Sequence, residues 1–159
     1  MKQKKRLLLV SRDDILKVVT SEHDTRLFRT LARFTHQGYH LLATAPQPDR
    51  WSSSHGGPDD ALLGPGSIRE RLANAGGFLD GVYYVQRSLL TQKRNRVQAL
   101  RDILQRYAVN PDHCHLFSSS RKFVEVASEL GIHATRLRRE CSLTSELNTL
   151  LQESNPHIA

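Results

Sequence analysis

The sequence predicts an α/β fold: a single Rossmann-like domain of three α/β/α layers around a five-stranded parallel sheet. Short apolar runs alternate along the chain with segments whose apolar residues recur at helical spacing. The first run is continuously apolar, as expected for a strand that is covered on both faces. Strands that alternate with helices are typical of parallel sheets joined by helical crossovers. A chain of 159 residues fits one such domain with its own core.

The predicted strands are apolar runs bounded by polar or turn-forming residues. Pro46 and Pro48 follow the second run and end it, because proline cannot donate to a ladder. Asn110 and Pro111 form a turn before the fourth run. The five predicted strands are residues 6–10, 39–44, 81–87, 115–117 and 132–137.

Helices are predicted where apolar residues recur three or four positions apart. Asp24 can cap the first of these helices, and Gly38 ends it. Ser67 and Glu70 match a capping box that begins a short helix. The apolar stripes of the predicted helices are Leu27, Phe28, Leu31 and Phe34; Val97, Leu100, Ile103, Leu104 and Tyr107; Phe123, Val126, Ala127 and Leu130; and Leu147, Leu150 and Leu151.

The chain is predicted to be one domain over residues 1–159, with a core at about 6–137 and a helical tail at about 142–152. Residues 49–66 are rich in serine, glycine and proline, which indicates a long, mobile surface loop. No apolar run approaches the roughly 20 residues that a membrane helix needs. Two cysteines give neither a disulfide framework nor a metal-binding spacing, which favours a cytoplasmic location.

The formal charge of +7 and the pI near 9.8 indicate affinity for anions. The same charges are also typical of a solvated helix face. Aromatic residues do not alternate with the basic ones, so a phosphorylated small molecule or another anionic partner is favoured over nucleic acid. The basic run consists of Arg87, Lys93, Arg94, Arg96, Arg101 and Arg106.

Polar residues follow three of the predicted strands. Residues 11–14 follow the first strand, Thr44 ends the second, and residues 118–120 follow the fourth. Ligands of open α/β sheets bind beyond the carboxyl ends of the strands, where the strand order reverses. The three segments are therefore expected to be loops that form the ligand site.

These segments resemble motifs of the haloacid dehalogenase (HAD) superfamily, nearest the heptose-bisphosphate and histidinol-phosphate phosphatase branch. Residues 7–15, Leu-Leu-Leu-Val-Ser-Arg-Asp-Asp-Ile, resemble the first motif, in which apolar residues precede Asp-Arg-Asp-Gly. Thr44 and Lys93 stand where the second-motif Thr or Ser and the third-motif Lys are found. Residues 116–120, Leu-Phe-Ser-Ser-Ser, resemble the fourth motif, usually Val-Gly-Asp-Ser. The resemblance implies a HAD-like fold, with at most a minimal cap built from residues 46–66.

The departures from these motifs concern the catalytic carboxylates. Ser11 replaces the aspartate that attacks phosphorus and ligates Mg²⁺, whereas Asp13 is retained at the acid/base position. Ser119 replaces a second Mg²⁺ ligand. Mg²⁺ prefers carboxylate oxygens, so the site at Ser11, Asp13 and Ser119 is expected to be degenerate, with no metal or other cofactor.

The resemblance therefore implies a catalytically impaired phosphatase homologue, in which ordinary phosphatase chemistry is not expected, and which binds a phosphate-containing ligand or a partner in a regulatory or structural role. The helix N-terminus near Ser120 favours an anion as well. The residues predicted to bind phosphate are Arg12, Thr44, Lys93, Ser118, Ser119 and Ser120.

Two alternatives remain open at this point. One is a residual Mg²⁺-dependent phosphomonoesterase acting on a sugar phosphate or a similar small substrate, with Asp13 assisted by Ser11 or a water. The other is a basic module that binds protein or nucleic acid through its surface charge.

Overall fold

The structure is a computed structural model, which describes residues 5–19, 24–46, 67–85, 92–140 and 142–154. The predicted surface loop, the segment available for a cap and Cys141 lie outside these ranges, wholly or nearly so. None of the helices within the described ranges is long and apolar enough to cross a membrane.

The five predicted strands form one parallel sheet, which confirms the predicted α/β fold. The strand order is β3-β2-β1-β4-β5, so the chain adds β2 and β3 on one side of β1 and then β4 and β5 on the other. That reversal creates a crevice between the carboxyl ends of β1 and β4. The strands are β1 (Arg6–Ser11), β2 (Tyr39–Pro46), β3 (Gly81–Val85), β4 (Cys114–Ser118) and β5 (His133–Arg136).

The helices match the predicted ones with one addition. Residues 11–14 were expected to form a loop, but a helix begins at Arg12, directly after β1. Asp13 and Asp14 in its first turn favour this helix start, and Ile15 is buried against the sheet. The helices are α1 (Arg12–Val19), α2 (Asp24–His36), α3 (Ile68–Asn74), α4 (Gln92–Tyr107), α5 (Arg121–Glu129) and α6 (Leu143–Ser154); a 3₁₀ turn (Pro111–His113) precedes β4.

The central strand β1 separates two apolar clusters. Its alternate side chains point to opposite faces, and all four apolar ones are fully buried. Leu8 and Val10 pack with residues of α1, α2, α3 and α6, whereas Leu7 and Leu9 pack with residues of α4 and α5. The sheet is therefore covered on both faces, which explains the continuous apolar run of β1.

The C-terminal helix α6 belongs to the core and is not a peripheral tail. Leu143, Leu147, Leu150 and Leu151 are buried in the same cluster as Leu8. Leu147 is completely inaccessible to solvent. The N-terminus of α6 is therefore held at the carboxyl edge of the sheet, where the candidate site lies.

His115 on β4 lies in an unusual electrostatic environment. Its ring stacks on that of His133, with the ring centroids 5.0 Å apart. Burial, the neighbouring His133 and Arg6 lower the pKa of His115 from 6.5 to about 4. The folded protein therefore holds this imidazole neutral well below the pH at which the unfolded chain protonates it.

Stability is expected to fall as the pH drops from 7 to 5, because only the unfolded chain gains a proton at His115 over that range. Solvent screening reduces the effect for a partly exposed ring, so we expect a loss of about 1 kcal/mol. Urea unfolding at both pH values measures it. His115→Leu should flatten the dependence, and a dependence that this variant leaves unchanged would contradict the assignment to His115.

Candidate functional site at the strand ends

Three hydroxyl side chains lie side by side at the carboxyl edge of the sheet. Ser11 is paired in register with Thr44, and the pairing of Val10 with Phe117 sets Ser11 level with Ser118. Strand alternation directs all three side chains toward the face covered by α4 and α5. Thr44 and Ser118 are buried, and Ser11 is half-buried. We call these three residues the hydroxyl row.

Arg12 follows the hydroxyl row directly and is nearly buried, with 11% of its side chain exposed. Its Nε and Nη2 donate to Asp13 Oδ1 at 3.2 and 3.0 Å. Its Nη1 is buried, and no described residue accepts a hydrogen bond from it. A buried donor without an acceptor is costly, so an anion that reached Nη1 would be stabilised there.

The two aspartates of α1 have different environments. Asp13 is 52% exposed and its carboxylate is engaged by Arg12. Asp14 is buried: its Oδ2 accepts a hydrogen bond from the Ser119 N–H at 2.9 Å, and Lys17 Nζ lies 3.7 Å from its Oδ1. Asp14 therefore joins the end of β1 to the loop after β4. Asp14 stands where the first motif has glycine, and the motif comparison therefore assigned it no role.

The serines after β4 stabilise the loop that they form. Ser118 Oγ accepts a hydrogen bond from the Ser120 N–H at 3.1 Å. Ser120 Oγ accepts one from the Phe123 N–H at 3.3 Å and so caps α5. Ser119 instead lines an open cavity together with Asp14. Of the three predicted serines, Ser119 is thus the one that the loop presents to a cavity.

Lys93 lies away from the other predicted site residues. Its Nζ is 3.5 Å from Glu129 Oε2, and both side chains are largely exposed. Glu129 is the last residue of α5, nine residues beyond Ser120, which corresponds to about 13 Å along the helix axis. The structure therefore brings together Ser11, Arg12, Asp13, Thr44 and the three serines, but it does not bring Lys93 to them. Lys17 is the lysine found near the buried Asp14.

The residues at the degenerate metal positions offer poor ligands for Mg²⁺. Ser11 and Ser119 carry neutral hydroxyls, and the Asp13 carboxylate is already bound by Arg12. Within the described ranges, no group of three or more His, Cys, Asp or Glu residues is arranged to hold a metal ion. Mg²⁺ requires near-octahedral hard-oxygen ligands, so this donor set does not fit it.

Asp14→Asn is expected to destabilise the fold by about 1–2 kcal/mol, because the charge-assisted hydrogen bond to the Ser119 N–H is weakened and the ion pair between Lys17 and Asp14 is lost. Asp13→Asn removes an equal charge from an exposed position and should change stability by less than about 0.5 kcal/mol. Urea denaturation measures both. Equal effects of the two substitutions would contradict the buried role of Asp14.

Comparison with solved structures identifies the fold. The D,D-heptose 1,7-bisphosphate phosphatase from B. bronchiseptica, complexed with magnesium and phosphate, is 17% identical over 93% of this chain and 99% of that chain, with a TM-score of 0.65. The D,D-heptose 1,7-bisphosphate phosphatase from Burkholderia thailandensis is 13% identical over 92% and 98%, with a TM-score of 0.57. A predicted HAD-like family hydrolase from Porphyromonas gingivalis is 9% identical over 94% and 99%, with a TM-score of 0.52.

The chain therefore has the haloacid dehalogenase-like fold, and the structures similar to it include heptose-bisphosphate phosphatases. This confirms the predicted resemblance at the level of the fold. No protein-family model matches the sequence, and comparison with curated proteins finds no match either. A fold of this kind hosts many chemistries, so the function must be argued from the site.

Proposed function

We propose that this chain is a catalytically impaired HAD-like phosphatase homologue that binds a phosphate-containing small molecule without Mg²⁺ and without turnover. The observation that carries the proposal is Ser11, a neutral hydroxyl at the end of β1 beside Thr44, where the resemblance requires a nucleophilic carboxylate. A serine hydroxyl is un-ionised near neutral pH, and no histidine that could act as its base lies beside it in the sequence.

Three features of the strand ends support phosphate as the ligand. Arg12 offers a nearly buried guanidinium whose Nη1 has no hydrogen-bond acceptor among the described residues. The hydroxyl row offers donors and acceptors at one level of the sheet. The positive end of the α5 dipole favours an anion as well, while the Ser119, Ser120 and Phe123 N–H groups are already bonded within the protein. The loss of two carboxylates removes negative charge that would repel a phosphate when no metal is bound.

The proposed ligand is small and phosphorylated, and the proposed setting is the cytoplasm, in a regulatory or structural role. The similar phosphatases bind magnesium and phosphate in one case and are named for a heptose bisphosphate substrate. For this chain, the retained Asp13 is the only remaining motif carboxylate, and its ion pair with Arg12 opposes its use as an acid or base. This pairing favours binding over hydrolysis.

Calorimetric titration with inorganic phosphate in EDTA tests the binding. We expect saturable binding to the wild-type protein, and the same affinity when Mg²⁺ replaces EDTA. Arg12→Leu should weaken binding about tenfold or more, because a charge-assisted hydrogen bond is lost. Lys93→Leu removes the same charge from the surface pair with Glu129 and should leave the affinity unchanged. Binding that requires Mg²⁺ would overturn the proposal.

Assays with p-nitrophenyl phosphate and sugar phosphates in Mg²⁺ test turnover. We expect no hydrolysis by the wild-type protein. Hydrolysis that Asp13→Asn abolishes would establish the residual phosphatase instead. Hydrolysis that survives Asp13→Asn would indicate a contaminating enzyme, since no other motif carboxylate remains.

A further inference from the structure

A large basic cavity lies next to the strand ends, on the side of the sheet covered by α1, α2 and α6. Its volume is about 1060 Å³, and it is open to solvent. Asp14 and Ser119 form its inner wall, and residues 136–139 and 142–145 form its outer wall. The hydroxyl row points toward the opposite face of the sheet, whereas Ser119 lines the cavity, so the cavity adjoins the site proposed above and adds cationic residues that the site does not contain.

The cavity lining is strongly cationic. Lys17 from α1 and Arg26 from α2 line one side, and the segment between β5 and α6 contributes Arg136, Arg138 and Arg139. Asp14 is the one acidic residue among the described residues of the lining. Lys17 pairs with Asp14, whereas no described residue forms an ion pair with any of the four arginines. The uncompensated positive charge is therefore directed into a concave space, which attracts anions strongly.

The first turn of α6 adds neutral donors to the same cavity. Ser142, Thr144 and Ser145 line it, and Leu143 begins the helix there. The Ser145 and Glu146 N–H groups donate to Ser142, at 3.4 Å to Oγ and 3.0 Å to the carbonyl oxygen. The earlier N–H groups of an α-helix have no acceptor within the helix. They are positioned to bind an anionic oxygen beside the arginines.

The size and chemistry of the cavity indicate the class of ligand. Cavities of about 300–1,000 Å³ bind drug-sized molecules, so this one is too large for a single phosphate ion. The excess of cationic side chains exceeds what one phosphoryl group can neutralise. No aromatic residue occurs among its described lining residues, so there is no platform on which a base could stack.

We propose that this basic cavity binds a small molecule carrying two or more phosphoryl groups, with Arg136, Arg138 and Arg139 as its principal contacts. The site goes beyond the single-phosphate site at the strand ends and does not depend on it. Contiguous phosphoryl groups, as in a polyphosphate chain, and separated ones, as in a polyol phosphate, would both pair with the cationic side chains of the lining.

Calorimetry at low ionic strength with inorganic tripolyphosphate and with fructose 1,6-bisphosphate distinguishes contiguous from separated phosphoryl groups. We expect at least one of them to bind about tenfold or more tightly than inorganic phosphate. The triple variant Arg136→Gln/Arg138→Gln/Arg139→Gln should weaken that binding about 10- to 100-fold and leave binding of inorganic phosphate intact.

A charge-matched control distinguishes the loss of the cavity arginines from the loss of net positive charge. Arg33→Gln/Arg94→Gln/Arg101→Gln removes three exposed cations that do not line the cavity, and it should keep the wild-type affinity. Equal weakening by the two triple variants would overturn the proposal. So would failure of both probes to bind more tightly than inorganic phosphate.

Three further results separate this proposal from other possibilities. A single-stranded RNA oligomer that bound more tightly than both probes through the same three arginines would overturn it in favour of a nucleic-acid site. Loss of inorganic phosphate binding in Arg12→Leu, with tripolyphosphate binding retained, would support two separate sites. If the cavity variant binds inorganic phosphate normally and tripolyphosphate has no advantage, only the cavity proposal fails.

Discussion

Replacing both Ser11 and Ser119 with aspartate is expected to create a Mg²⁺ site, which the proposed function predicts to be absent from the wild-type protein. The substitutions add two carboxylates at the carboxyl ends of β1 and β4, close to the existing Asp13 and Asp14. Mg²⁺ at 100 times its dissociation constant should then stabilise the variant by about 2.7 kcal/mol. Thermal or urea unfolding with and without Mg²⁺ measures this shift, which should be absent in the wild-type protein.

The variant Ser11→Asn/Ser119→Asn is the matched control, because asparagine has nearly the size of aspartate but no charge. It should show no stabilisation by Mg²⁺. Without metal, the aspartate variant should also lose affinity for inorganic phosphate, since two new negative charges repel the ligand. An equal response of the wild-type protein to Mg²⁺ would show that the strand ends already hold the metal.

Truncating Leu147 to alanine is expected to destabilise the protein by about 2–5 kcal/mol, the usual cost of removing a fully buried leucine side chain. Leu147 lies in the cluster that contains Leu8 of the central strand, so its loss leaves a cavity in the main core. Urea denaturation at constant pH measures the change in the free energy of unfolding.

Gln152→Ala on the same helix is the control for Leu147→Ala. Gln152 is exposed, so its substitution should change stability by no more than about 0.5 kcal/mol. Similar effects of both substitutions would mean that α6 is not part of the core. In that case the N-terminus of α6 could not line the basic cavity as described.

The fold could be predicted because its signals are local. Continuous apolar runs identified the strands, and apolar residues at helical spacing identified most of the helices. The helix α1 escaped prediction because it begins without a connecting loop and contains the β-branched residues Ile15, Val18 and Val19, which lower helix propensity. The role of Asp14 was missed with it, since the pairing of Asp14 with Lys17 becomes visible only on a helix.

The site was predicted in part, because local signals locate the strand ends but not the contacts between distant segments. Register and strand ends place Ser11, Thr44 and Ser118 together, as their positions in the sequence indicated. Lys93 was assigned from its position in a motif alone, and the fold pairs it with Glu129 instead. Arg26 and Arg136 are 110 positions apart in sequence, so only the tertiary structure could bring them to one cavity.

We propose that the strand ends have lost the oxygen ligands needed to hold a divalent cation. Mn²⁺ accepts the same oxygen ligands as Mg²⁺, and its electron paramagnetic resonance signal is strong only when the ion is free in solution. Titration of the wild-type protein with Mn²⁺ in the presence of inorganic phosphate is therefore the most direct measurement. We predict that the free Mn²⁺ signal will match that of buffer with phosphate; loss of one equivalent of signal per chain would contradict the account.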